Sequence, residues 1–233
     1  FGSDGLDGCQ HGFFEILANS IDEASAGYGK EIRVTVFADH SMEVEDFGRG
    51  VPLGYNAKEE RYNWELVFCE LFAGGKMDNN NADAAYKCAL GVNGVGACAT
   101  QCASTYMNVD SFDGKRVSFI RFEKGLPVGD LEVRELAPSE RRTGTIIRWL
   151  PDLEVFTDIN IPHEHFEDVL HRQAAINYGV KFVLQIEQPD GSFSEKVFFY
   201  PGEDKLAAYV RELTNNNSIT EPVNLFASDR GRD

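Results

Sequence analysis

The sequence predicts an α+β fold: a two-layer α/β sandwich with a mixed, largely antiparallel sheet and helices on one face. Three observations carry that reading. An amphipathic stretch at residues 11 to about 26 runs directly into an alternating one; short alternating segments cluster around Asp113-Gly114; and helical periods at 163–177 and 205–213 bracket segments of strand character at 180–186 and 195–200.

In the first helix Phe14, Leu17, Ala18, Ile21 and Ala24 recur at helical spacing. Glu15, Asn19 and Glu23 follow one another at four-residue steps on a second stripe. A solvated face and a ligand-facing one both fit that stripe. Gly27-Tyr28-Gly29 suits a helix stop, and Ile32, Val34 and Val36 alternate with polar residues in the strand that follows. A second strand, 42–46, ends in Asp46-Phe47-Gly48-Arg49-Gly50-Val51-Pro52. Two glycines permit a sharp turn and proline blocks a continuing ladder, so Asp46 is expected at a strand end. An ordinary Asp-Gly turn and an acceptor for an exocyclic amine are both open there.

Residues 72–86 have the Gly, Asn and Asp content of a loop and lead into Gly91-Val92-Asn93-Gly94-Val95-Gly96, followed by a helix-compatible run at 97–103. Free N–H groups at a helix start attract anions, and small residues let phosphate oxygens approach. The segment lacks the Gly-Lys-Ser/Thr ending of a P-loop and the preceding strand of a dinucleotide fingerprint. Further strands are expected at 106–112, 116–122, 131–136 and 145–150, and a turn at Pro189-Asp190-Gly191. Phe156, Phe166, Phe182, Phe198 and Phe199 read as core, and His163, His165 and His171 as residues of helix faces or caps without a metal-like partner set.

Taken together, Glu15-x-x-x-Asn19-Ser20-Ile21-Asp22-Glu23-Ala24, Asp46-x-Gly48-x-Gly50-Val51-Pro52, Ala73-Gly74-Gly75-Lys76, Gly91 to Gly96 and Thr143-Gly144-Thr145 resemble the ATPase domain of the B-type subunits of bacterial type IIA DNA topoisomerases (gyrase B and the topoisomerase IV ParE subunit). This is the GHKL, or Bergerat, ATP-binding fold. The resemblance runs from about residue 11 to about 213. It implies an ATP-hydrolysing enzyme domain in which dimer-gate closure drives DNA strand passage. A conformational switch of the chaperone or MutL mismatch-repair branch is the alternative from the same superfamily.

The resemblance also implies roles. Glu15 is the expected general base, Asn19 the Mg²⁺ ligand, and Asp46 the acceptor of the adenine amine, with Thr145 supporting it. Val51 and Pro52 line the ring pocket, with Ile16 and Ile147 as further walls. Gly91, Val92, Asn93, Gly94, Val95 and Gly96 hold phosphates, Lys87 adds a charge, Gly50 belongs to the ATP-binding turn, and Glu23 either pairs with Arg49 beneath the adenine or stands exposed and unpaired. ATP and Mg²⁺ are the implied cofactors. The implied partners are a second copy of the same protein, the A-type subunit, DNA through other domains, and aminocoumarin-type inhibitors, for which Arg121 or Arg148 would offer a cation. The chain is expected to comprise an ATPase domain at 1–213, with a lid at about 74–96, and a linker at 214–233 toward a transducer domain. Such a domain alone would hydrolyse ATP weakly or not at all. Phe47, Asn93, Ala89-Leu90 and a long 78–85 loop depart from the family pattern.

Composition agrees. A net charge of −16 argues against this segment itself gripping DNA. No apolar run reaches the length of a membrane span, and a bacterial cytoplasmic location is implied. Five cysteines without a C-x-x-C pair read as buried free thiols, although Cys98 and Cys102 share a helix face.

Overall fold

The computed structural model describes residues 2–71, 95–202, 205–217 and 222. The first helix, α1 (Leu6–Ser25), begins earlier than the apolar period suggests. Its first turns carry Gly8 and Gly12, poor helix formers that are nevertheless buried. A Cβ on Gly8 would come within 3.1 Å of the Ser3 carbonyl carbon, so close chain approach selects glycine there. Strands β1 (Glu31–Val36) and β2 (Met42–Asp46) follow as expected. A small hairpin, β3 (Tyr55–Asn56) and β4 (Arg61–Tyr62), and the short helix α2 (Asn63–Phe68) come next, elements too brief to leave a period. Helix α3 (Gly96–Cys102) leads into β5 (Ser104–Asp113), β6 (Arg116–Glu123), β7 (Leu126–Pro127), β8 (Glu132–Glu135) and β9 (Thr143–Pro151). The chain then forms α4 (His163–Ile176), β10 (Lys181–Glu187), β11 (Phe193–Phe198) and α5 (Lys205–Leu213). Strand β11 starts two residues before its expected position. The Asp190 carboxylate accepts from the Ser192 N–H at 3.0 Å and the Ser192 carbonyl from the Gln188 N–H at 2.7 Å, which closes the turn early.

The main sheet runs β11-β10-β1-β2-β9-β5-β6-β7, with β8 also on β6. All of its ladders are antiparallel except β1 with β10. One face is apolar: Ile32, Val34, Val44, Met107, Val109, Ile120, Ile147, Trp149, Phe182 and Leu184 join Phe13, Ile16, Leu17 and Ile21 of α1 and Phe166 and Leu170 of α4 in one core. The strands alternate, so the other face is charged. There Lys181, Glu31, Arg33, Glu45 and Arg142 form a chain of ion pairs, with Glu31–Arg33 at 2.6 Å, Arg33–Glu45 at 3.6 Å and Glu45–Arg142 at 2.5 Å. Phe156, Phe166, Phe182 and Phe198 are core as read, but Phe199, just beyond the end of β11, is 45% exposed.

Candidate functional site

Asp46 is the last residue of β2 and is 5% exposed. Its Oδ1 accepts hydrogen bonds from the Gly48 N–H at 2.9 Å and the Thr145 N–H at 3.2 Å, and its Oδ2 from the Ser20 hydroxyl at 3.1 Å. A carboxylate offers about four acceptor positions, so three such bonds fix it and leave capacity for one further donor. Burial pushes its pKa up; the three hydrogen bonds oppose that, and the Glu23 charge adds to it. The strand can approach β9 this closely because Gly144 stands opposite, at φ +126°; a Cβ there would lie 2.8 Å from the Asp46 carbonyl carbon. Thr145 Oγ1 accepts from the Val51 N–H at 3.0 Å, and Ser111 Oγ donates to the Val51 carbonyl at 2.7 Å. Two strands, a helix and the turn after β2 thus converge on one buried acceptor, and β5 holds the far end of that turn through Ser111.

Glu23 is held by Arg49 through two guanidinium bonds, Nη2 to Oε1 at 2.8 Å and Nε to Oε2 at 3.1 Å. The Arg49 guanidinium also lies 3.9 Å from the Tyr28 ring centroid. The expected pairing is therefore present. Gly50 sits at φ +87° against the Phe112 carbonyl, where a side chain would be 2.7 Å away. Val51 is half-buried and packs on the core, while Pro52 is exposed. Ile16 and Ile147, expected as pocket walls, are buried in the core.

On the same helix, Glu15 Oε1 lies 2.9 Å from His11 Nε2, one turn earlier. The Asn19 amide nitrogen donates to the Glu15 carbonyl at 3.2 Å, which orients the amide on the helix. Val95 caps α3 and Gly96 opens it. A Cβ on Gly96 would lie 2.7 Å from the Glu15 carboxyl carbon, so the glycine-rich segment ends against this carboxylate. Lys87, Gly91, Val92, Asn93 and Gly94 lie outside the described residues, as does most of the expected lid.

Two expectations are corrected. Arg121 and Arg148 alternate with core residues and therefore sit on the charged face, away from the Asp46 carboxylate. Arg121 pairs with Asp110 at 2.6 Å, and Arg148 covers Phe37 at 3.6 Å. Neither supplies a cation beside the pocket. Of the described cysteines all are free, but only Cys9 and Cys98 are buried; Cys69 and Cys102 are exposed. Burial pushes the Cys98 thiol up to about 11, the opposite of a reactive thiolate. No cluster of His, Cys, Asp and Glu suited to a metal occurs among the described residues. Sequence reasoning missed His11, Ser20, Ser111 and Tyr28. His11 had a usable signal, its four-residue spacing from Glu15; Ser111 is 60 residues from its partner Val51 and had none.

No family model matches the chain. It is 33% identical over 233 residues to the gyrase B protein of Enterococcus faecalis, covering all of this chain and 35% of that protein. It is 34% identical over 227 residues to the corresponding B protein of DNA topoisomerase 4 from the same organism, covering 97% of this chain and 32% of that one. The crystal structure of the 43K ATPase domain of Thermus thermophilus gyrase B, in complex with an aminocoumarin, superposes with a TM-score of 0.73 at 29% identity, covering 91% of this chain and 51% of the other. The chain spans about one third of the length of the curated relatives it matches. By sequence over its whole length and by its fold, the chain is a homologue of the B subunits of DNA gyrase and topoisomerase IV and is built like the gyrase B ATPase domain.

Proposed function

We propose that this chain is the ATP-binding and ATP-hydrolysing domain of a bacterial type IIA topoisomerase B-type subunit, gyrase B or ParE. The observation that carries the proposal is the buried Asp46 carboxylate, fixed by Ser20, Gly48 and Thr145 with one acceptor position remaining. Such a group recognises a donor such as the adenine 6-amino group. Glu15 is suited to orient and deprotonate the attacking water, with His11 Nε2 holding one carboxylate oxygen. Asn19, one turn after Glu15 with its amide nitrogen on the Glu15 carbonyl, would offer its amide oxygen, a hard donor, to Mg²⁺. When bound, the ion would neutralise phosphate charge. The Glu23–Arg49 pair would lie beneath the adenine, and the glycines up to Gly96, with Lys87, are the proposed phosphate cradle.

In the longer protein, ATP binding would bring two copies together, and gate closure would let one DNA duplex pass through another held with the A-type subunit. Residues 1–213 would be the ATPase domain, with its lid at about 74–96, and 214–233 the lead into a transducer domain. Aminocoumarin-type inhibitors would compete for the adenine pocket. No helix among the described residues is long and apolar enough to cross a membrane, and we place the protein in the bacterial cytoplasm.

The test is calorimetric titration of a non-hydrolysable ATP analogue with Mg²⁺ into the chain and its Asp46→Asn variant. Saturable binding, weakened by about 1–3 kcal/mol in the variant, is expected. Equal affinities would refute the assignment of Asp46.

A further inference from the structure

Behind the Asp46 turn, on the charged face of the sheet, Arg142 occupies an unusual place. The ladder between β2 and β9 covers Met42 to Glu45 and stops one residue short of Asp46. Where the next ladder bond would fall, Arg142 Nη2 donates to the Asp46 carbonyl at 3.4 Å, while Nη1 donates to Glu45 Oε1 at 2.5 Å. The guanidinium carbon lies 4.8 Å from the centroid of Phe47 and 4.6 Å from that of Phe112. Arg33 approaches Phe47 as well, at 5.3 Å. The Arg142 Nε is buried without a hydrogen-bond partner, a cost accepted to hold the plane between two rings. One side chain therefore grips Glu45 by its carboxylate, Asp46 by its carbonyl and Phe47 by its ring. From the other side, the Asp46 carboxylate is gripped by the Thr145 N–H, three residues after Arg142.

Resting on the adenine-acceptor reading of Asp46, we propose that Arg142 is a positioning residue for base recognition. It replaces the missing end of the β2–β9 ladder and so sets the direction in which the Asp46 carboxylate presents its remaining acceptor position. Phe47, the residue that departs from the family pattern, is the surface on which the guanidinium rests. A lysine at position 142 would keep the charge near Glu45 but lose both the fork and the plane.

The experiment compares two non-hydrolysable nucleoside triphosphate analogues by calorimetry, one with adenine and one with unsubstituted purine, which lacks the 6-amino group. Arg142→Ala is expected to weaken the adenine analogue about 3- to 10-fold, the range of one hydrogen bond, and the purine analogue less than about 2-fold. Arg142→Lys is expected to fall between wild type and Arg142→Ala, and it carries the test if the alanine variant does not fold. Equal losses for both nucleotides, or none for either, would overturn the positioning role while leaving Asp46 as the acceptor. Failure of the wild-type chain to prefer the adenine analogue would overturn the Asp46 reading and the role of Arg142 with it.

Discussion

Asp46 is buried deeply enough that its charge is expensive to the folded chain, and its pKa stands above the ordinary carboxylate value for that reason. Because the folded value is the higher one, the sign follows directly. The folded state holds the proton more tightly than the unfolded chain, so stability falls as pH rises from the unfolded pKa through the folded one, and the penalty is complete above it. In Asp46→Asn the amide oxygen can still accept from Gly48 and Thr145 while the amide nitrogen faces Ser20. Thermal unfolding should show the variant gaining on wild type as pH rises above the ordinary carboxylate range, and parallel curves would contradict this origin of the shift. Gly96→Ala sets two effects against each other. Alanine favours a helix by up to about 1 kcal/mol, but its Cβ would collide with Glu15. Turnover in the longer protein should fall by roughly tenfold or more, as a misplaced base requires, and retained turnover would show that Glu15 moves aside without consequence. Glu15→Gln should bind nucleotide and fail to turn it over in the same assay. Asp46, Glu15 and Glu23 were legible because each sits in a local pattern of turn or helix chemistry. Ser111 was not, because only a β5–β9 pairing set by tertiary contacts brings it to Val51.

Elements with a strong period were placed well: β1, β2, β6, α4 and α5 fall within a residue or two of expectation. The region from Tyr55 to Phe68 was silent, since two-residue strands and a six-residue helix are stabilised by the aromatic contacts of Tyr62, Trp64, Phe68 and Phe122 rather than by local propensity. Helix α5 illustrates docking at this scale. The Tyr200 hydroxyl lies 2.5 Å from His171 Nε2 on α4 and donates to Glu212 on α5 at 2.5 Å, while Tyr209 meets the His171 ring edge-on at 4.8 Å. The Tyr200 hydrogen bond comes first among the causes that hold Glu212 below its usual range, so this anchor is present above the unfolded carboxylate pKa and is lost as pH falls through the folded one. Tyr200→Phe should accelerate amide exchange along residues 206–213 and leave β1, β2 and β9 unchanged. Unaltered exchange in α5 would mean that packing alone, such as that of the buried Ala207, holds the helix.

Across the whole molecule the charge of −16 acts against compactness and against polyanions alike. Raising salt from low to physiological ionic strength should raise the melting temperature by screening that repulsion, and the chain alone should not retain duplex DNA at physiological salt. A fall in melting temperature would mean that the ion pairs of the charged sheet face outweigh the net repulsion. The class of fold was legible because helix and strand periods are local, whereas strand order was not, because it depends on partners far apart in sequence. The parallel ladder shows this most clearly, since Ile32 pairs with Phe182 and Thr35 bonds Gln185 across 150 positions. During synthesis at roughly 5–20 residues per second, β1 and the helix before it would wait about 8–30 s for β10 to be made. Strand β1 can pair with β2 at once, but its other edge stays open until the second half of the chain has been made, so the Glu15–Asn19 helix packs first on a sheet that is completed late.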